Sequence, residues 1–168
     1  MSVIDELLEH NHEYVASYTG DKPLRPSKRL AVVACMDSRL DIFAMLGLDL
    51  GEAHIIRNAG GVITDDVIRS LTISQRMLGT EAILLIHHTN CGLSTFTEDE
   101  FDERLLAETG ARAHWKAESF RDVDVSVRES IRRITQSPFV AHTDNVRGFV
   151  FDVETGELRE VSRTADAA

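Results

Sequence analysis

Three short runs, Leu30–Ala34, Ala53–Arg57 and Ala82–His87, are rich in β-branched or aliphatic residues. They lack the apolar–polar alternation of a half-buried strand, so they fit strands covered on both faces. Between the second and third lies Thr64–Leu78, whose apolar spacing predicts a helix. Thr64 is placed to cap it, Asp65 and Asp66 suit the positive end of its dipole, and Gly79 supplies the stop. Strands that alternate with helices select a parallel α/β sheet with right-handed crossovers.

The rest of the chain fits this frame. Residues 2–18 predict a helix, with Ser2 as cap and Ile4, Leu7, Leu8 and Val15 at helical spacing. Gly20, Pro23 and Pro26 mark 19–28 as an extended connection. Thr97 and Glu100 form a capping box for a helix that closes at Gly110. Val123, Val127, Ile131 and Ile134 make the apolar stripe of another, ending before Pro138. Phe149–Val153 and Leu158–Val161 flank Glu154-Thr155-Gly156 as a hairpin. The expectation is one α/β domain over 1–168. Its sheet is mostly parallel, about four strands plus an antiparallel edge strand, flanked by helices, with Thr164–Ala168 frayed.

Composition narrows the function. With 168 residues, 43% hydrophobic and 27% charged, the chain can build a globular core. Its 18 basic against 28 acidic residues give a net charge of −10, which argues against a nucleic-acid partner. The apolar runs Ala31–Met36 and Ala82–Ile86 fall far short of the roughly 18 residues that span a bilayer, so no membrane association is expected. No basic segment followed by an apolar one opens the chain, so the expected compartment is the cytoplasm, where Cys35 and Cys91 stay reduced. A Gly-rich phosphate loop and a Ser-centred elbow are both missing, which disfavours phosphoryl and acyl transfer.

Both cysteines fall at strand ends. Cys35 follows Leu30–Ala34, and Cys91 follows the strand that ends in His87 and His88. Sites in open parallel sheets assemble at the carboxyl ends of strands, so adjacent strands could bring Cys35, His88 and Cys91 together. Two thiolates and an imidazole suit Zn²⁺, and three protein ligands leave a fourth position open, as in catalytic rather than structural zinc sites. A lone cysteine at a strand end is ordinarily a small buried hydrophobe. What sharpens the signal is Cys35-Met36-Asp37-Ser38-Arg39, with a carboxylate and a guanidinium within four residues of the thiol.

Cys-x-Asp-x-Arg after a strand, then Arg57-Asn58-Ala59-Gly60, then His88-x-x-Cys91-Gly92, resembles the β-class carbonic anhydrases in motif order and spacing over about residues 28–95. The chain is similar to the short bacterial branch of that family. The resemblance implies one Zn²⁺ per subunit on Cys35, His88 and Cys91, with Asp37 and Arg39 as the catalytic dyad. It also implies a closed state in which Asp37 takes the fourth zinc position, opposed by its pairing with Arg39. The implied activity is reversible hydration of CO₂ to bicarbonate and a proton by zinc-bound hydroxide, rising toward alkaline pH because two thiolates weaken the Lewis acid. Asp37 is expected to orient the attacking group. The implied assembly is a homodimer or dimer of dimers, with helix 2–18 laid on the partner subunit.

Carbonyl sulfide or carbon disulfide hydrolysis on the same fold is the near alternative. A zinc or redox regulatory module built on the two cysteines is a more distant one. His87 and His88 point to opposite faces of a strand, so the family spacing selects His88 as ligand. His54 and His142 read as ordinary core or surface histidines, Arg57 and Asn58 as supports of a strand end, and Asn90 as a non-ligand position.

Overall fold

The computed structural model describes residues 2–164. Its strands are β1 (Leu30–Cys35), β2 (Ala53–Asn58), β3 (Ala82–His88), β4 (Val146–Phe151) and β5 (Leu158–Val161). They form one sheet in the order β2-β1-β3-β4-β5; the first four are parallel and β5 runs antiparallel to β4. The helices are α1 (Val3–Ser17), α2 (Ile42–Leu46), α3 (Asp65–Arg76), α4 (Glu98–Thr109) and α5 (Val123–Gln136). Short 3₁₀ turns occupy Ala59–Gly61 and Gly92–Ser94. From residue 165 on, the expected fraying lies outside the described residues.

Helix boundaries follow their caps. Ser2 accepts from Asp5 N and Thr97 from Glu100 N, each closed into a capping box by the returning carboxylate. Thr64 caps α3 through Val67 N, and Asp122 caps α5 through Asp124 N and Val125 N. The turn between β4 and β5 is built on Asp152, whose Oδ1 accepts from Glu154 N and Thr155 N.

The sheet separates two apolar cores. On one face Ala31, Val33, Ile83 and Leu85 pack against Val67 and Leu71 of α3 and Val127, Ile131 and Ile134 of α5. On the other, Val32, Ala34 and Ile86 pack with Leu40, Ile42 and Phe151. Central strands covered on both faces are why the β1 and β3 segments read as continuous apolar runs. Gly148 lets α5 lie close on β4, since a Cβ there would meet Val127 Cγ1 at 2.3 Å.

Two differences from the sequence reading concern strand ends. β1, β2 and β3 each run one residue further, so Cys35, Asn58 and His88 terminate strands. β4 begins at Val146, three residues early, and stops at Phe151. Helix α1 forms where expected, yet none of its residues is buried.

Candidate metal centre

β1 and β3 are adjacent and parallel, with Ala34 paired to Ile86, so their carboxyl ends come level. Cys35 ends one strand and His88 the other. Beyond His88 the chain turns back through Thr89 and Asn90 to deliver Cys91. Thr89 N donates to Phe151 O at 2.9 Å and Val153 N donates to Thr89 Oγ1 at 3.1 Å, which ties the turn to β4. Asn90 makes the reversal in the left-handed region, φ 54°. The two sulfurs and a ring nitrogen of His88 then lie within 4.8 Å of one another, all three residues buried.

The donor set fits a soft divalent cation. His88 Nδ1 lies 2.8 Å from Thr89 O, so it carries the proton and Nε2 is left with its lone pair. That Nε2 is buried and has no hydrogen-bond partner. A carbonyl that fixes the tautomer of a histidine is the usual support behind a metal-ligating imidazole. The hydrogen bond from Cys91 draws the Cys35 thiol below the ordinary thiol range. The same bond and burial push Cys91 upward. Each thiol raises the cost of ionising the other, a cost that a divalent cation between them would offset.

Arg39 grips Asp37 in a fork: Nε donates to Oδ1 at 2.8 Å and Nη2 to Oδ2 at 2.7 Å. These bonds hold the Asp37 carboxyl well below the usual carboxylate range. Asp37 Oδ2 stands 3.7 Å from His88 Nε2, at the rim of the buried trio.

Arg57 fixes the loop beneath this pair, donating from Nε to Cys35 O at 3.0 Å and from Nη2 to Asp37 O at 2.7 Å. Asn58 Nδ2 donates to Val62 O at 2.9 Å and holds the Ala59–Gly61 turn. Both residues thus support a strand end, as their position suggested. Gly61 presses on the strand ends themselves, where a Cβ would sit 2.8 Å from Cys35 N and 3.0 Å from Ile86 O.

His87 faces away from the trio. Burial pushes it down to about 4, so it is neutral, with Nε2 3.1 Å from Gly61 O. His54 Nδ1 pairs with Ser74 Oγ at 2.7 Å, and His142 is exposed, so neither reaches the trio. Sequence reasoning missed the left-handed Asn90, whose carbonyl accepts from Arg39 Nη2 at 3.0 Å. The only available signal was an asparagine in a sharp turn, a residue that tolerates positive φ.

Comparison with known proteins agrees with this geometry. A family model described as carbonic anhydrase matches residues 30–158. Beta-carbonic anhydrase 1 of Mycobacterium tuberculosis is 55% identical over 162 residues, covering 96% of this chain and 99% of that protein. A carbon disulfide hydrolase of Acidithiobacillus thiooxidans is 34% identical over 154 residues, covering 79% of this chain and 77% of that protein. The crystal structure of a carbonic anhydrase from Streptococcus mutans superposes with a TM-score of 0.90 at 46% identity, covering 96% of this chain and 99% of that one.

Proposed function

The chain belongs to the β-class carbonic anhydrase family, and from that premise we propose how its own residues divide the work. The enzyme carries out the zinc-dependent reversible hydration of CO₂ to bicarbonate and a proton. In our reading Cys35, His88 and Cys91 hold the ion. The observation that carries this is the bare, buried Nε2 of His88, within 4.8 Å of the two buried sulfurs. Zinc on such a trio supplies the Lewis acidity that makes hydroxide available near neutral pH, tempered by the charge of two thiolates.

Asp37 is the catalytic carboxylate. Held ionised by Arg39, it offers Oδ2 as a hydrogen-bond acceptor at the rim of the trio and orients the attacking water. Arg39 keeps that carboxylate turned away from the ligand trio; released, Asp37 would be free to close on the ion the trio holds. Arg57 holds the Cys35 and Asp37 carbonyls on one frame, so thiol and carboxylate keep their spacing. Asp37→Asn should retain zinc and lose turnover, roughly 10²-fold, the scale of a misplaced acid–base or orienting group. Undiminished turnover in that variant removes the assigned role.

The carbon disulfide hydrolase relative is more distant than the carbonic anhydrase relative, which favours CO₂ over the sulfur analogues. Assaying carbon disulfide and carbonyl sulfide beside CO₂ tests that preference, and faster turnover of either overturns it. A zinc or redox regulatory module would leave the Asp37–Arg39 fork without a purpose.

We also read the chain as a homodimer or dimer of dimers. Support comes from α1, whose Val3, Ile4, Leu7, Leu8 and Val15 are 56–69% exposed. An apolar stripe of that size calls for a cover, and a second copy supplies one. A cleft of about 540 Å³ beside the site, lined in part by Ala59, Val62, Leu93, Phe96 and Trp115, offers further apolar surface to that copy. No helix among the described residues is long and apolar enough to cross a membrane. The cytoplasm suits a centre that needs both cysteines reduced.

A further inference from the structure

We propose that Asn90 is a positioning residue for the Asp37–Arg39 pair, acting through the left-handed conformation of its backbone; this rests on the zinc-site reading above. Arg39 Nη2 divides its hydrogen bonds between Asp37 Oδ2 at 2.7 Å and the carbonyl of Asn90 at 3.0 Å. The second bond ties the guanidinium, nearly half exposed, to the turn that joins His88 to Cys91. Within the described residues it is the one hydrogen bond that fixes Arg39 to anything other than Asp37.

The direction of that carbonyl depends on the left-handed backbone conformation at residue 90. At φ 54° the chain reverses within two residues, and the Asn90 carbonyl faces Arg39. Asparagine and glycine occupy this region readily, whereas a β-branched residue is a genuine outlier there. A valine at 90 relieves its strain by turning the peptide, and the carbonyl leaves Arg39. The fork on Asp37 then loses its anchor. Asp37, 3.7 Å from His88 Nε2, is less firmly held off the ligand trio. Asn90 thus biases the site toward its open arrangement through its bond to Arg39.

The test compares wild type, Asn90→Gly and Asn90→Val as cobalt-substituted proteins. Azide is titrated against the visible absorption of the metal, with metal content measured in each. Azide needs the fourth position, so its affinity reports how far Asp37 competes. Asn90→Val should bind azide roughly five- to tenfold more weakly, the population shift expected from the strain of one left-handed residue. Asn90→Gly should stay within about twofold of wild type, because glycine keeps both φ and the carbonyl. In an Asp37→Asn background the Val effect should vanish, whereas a merely structural defect would persist.

Equal azide affinity in Asn90→Val and wild type overturns the inference. So does an equal loss in Asn90→Gly, or a Val effect that survives in the Asp37→Asn background. A wild-type protein that takes up no metal overturns the zinc-site reading itself, and the inference with it.

Discussion

Replacing Gly61 by Ala should destabilise the protein by about 2–5 kcal/mol, from two separable sources. Gly61 has φ +68°, where an L-residue costs about 1–2 kcal/mol over glycine. An added Cβ would also lie 2.8 Å from Cys35 N and 3.0 Å from both Ala34 C and Ile86 O. All three are backbone atoms of central strands, so no side chain can rotate out of the way. The turn must move instead, which adds an overpacking cost of about 1–3 kcal/mol. That movement also stretches the 3.1 Å contact between Gly61 O and His87 Nε2. Gly110→Ala isolates the first source, because Gly110 has φ +73° and nothing within 4 Å of its Cβ position. Urea unfolding of both variants at fixed zinc, with m-values compared, gives the difference. Gly61→Ala within about 0.5 kcal/mol of Gly110→Ala would refute the argument that close backbone approach shapes this strand end.

Three further outcomes follow from the same geometry. Arg159 holds Asp124 below the ordinary carboxylate value of 3.8 through a fork of 2.7 and 3.0 Å between β5 and α5. Because the folded value is depressed, this stabilisation is complete above about pH 4 and is lost as pH falls through the folded value. Asp124→Asn should therefore cost up to about 1 kcal/mol at pH 7 and nothing at strongly acidic pH, measured by urea midpoints; an equal loss at both would contradict the linkage. Deleting residues 1–17 removes a helix with no buried side chain. Sedimentation should show a smaller assembly while zinc content stays unchanged, and an unaltered oligomer would contradict the packing assigned to α1. Gly148→Ala pushes a Cβ to 2.3 Å from Val127 Cγ1 and should cost about 1–3 kcal/mol without loss of zinc; a neutral substitution would mean α5 is not seated on that glycine.

The parts of the fold legible in the sequence are those with a local signature. Capping residues Ser2, Thr64 and Thr97 mark helix starts, and the apolar β1 and β3 segments mark strands covered on both faces. Helix α2 escaped notice because five residues carry too little periodicity to show a stripe. The start of β4 was missed because Arg147 and Gly148 interrupt its apolar pattern, although Gly148 serves helix packing rather than a turn. At the site, Cys35, His88, Cys91 and the Asp37–Arg39 pair were legible as motifs. The bonds from Arg57 to two carbonyls and from Arg39 to Asn90 were not, since they depend on strand register and on one dihedral angle. Exposure of α1 was expected only through the family resemblance, because an amphipathic helix reads alike whether it packs on its own chain or on another.

Stopped-flow CO₂ hydration by zinc-quantified protein, from mildly acidic to alkaline pH and beside Cys35→Ser, tests the central claim most directly. One zinc per chain, activity that rises with pH, and loss of both metal and activity in Cys35→Ser are the expected results. Zinc bound at full occupancy with no hydration at any pH would contradict the assignment of CO₂ as substrate. Hydration that survives in Cys35→Ser would contradict the placement of the metal.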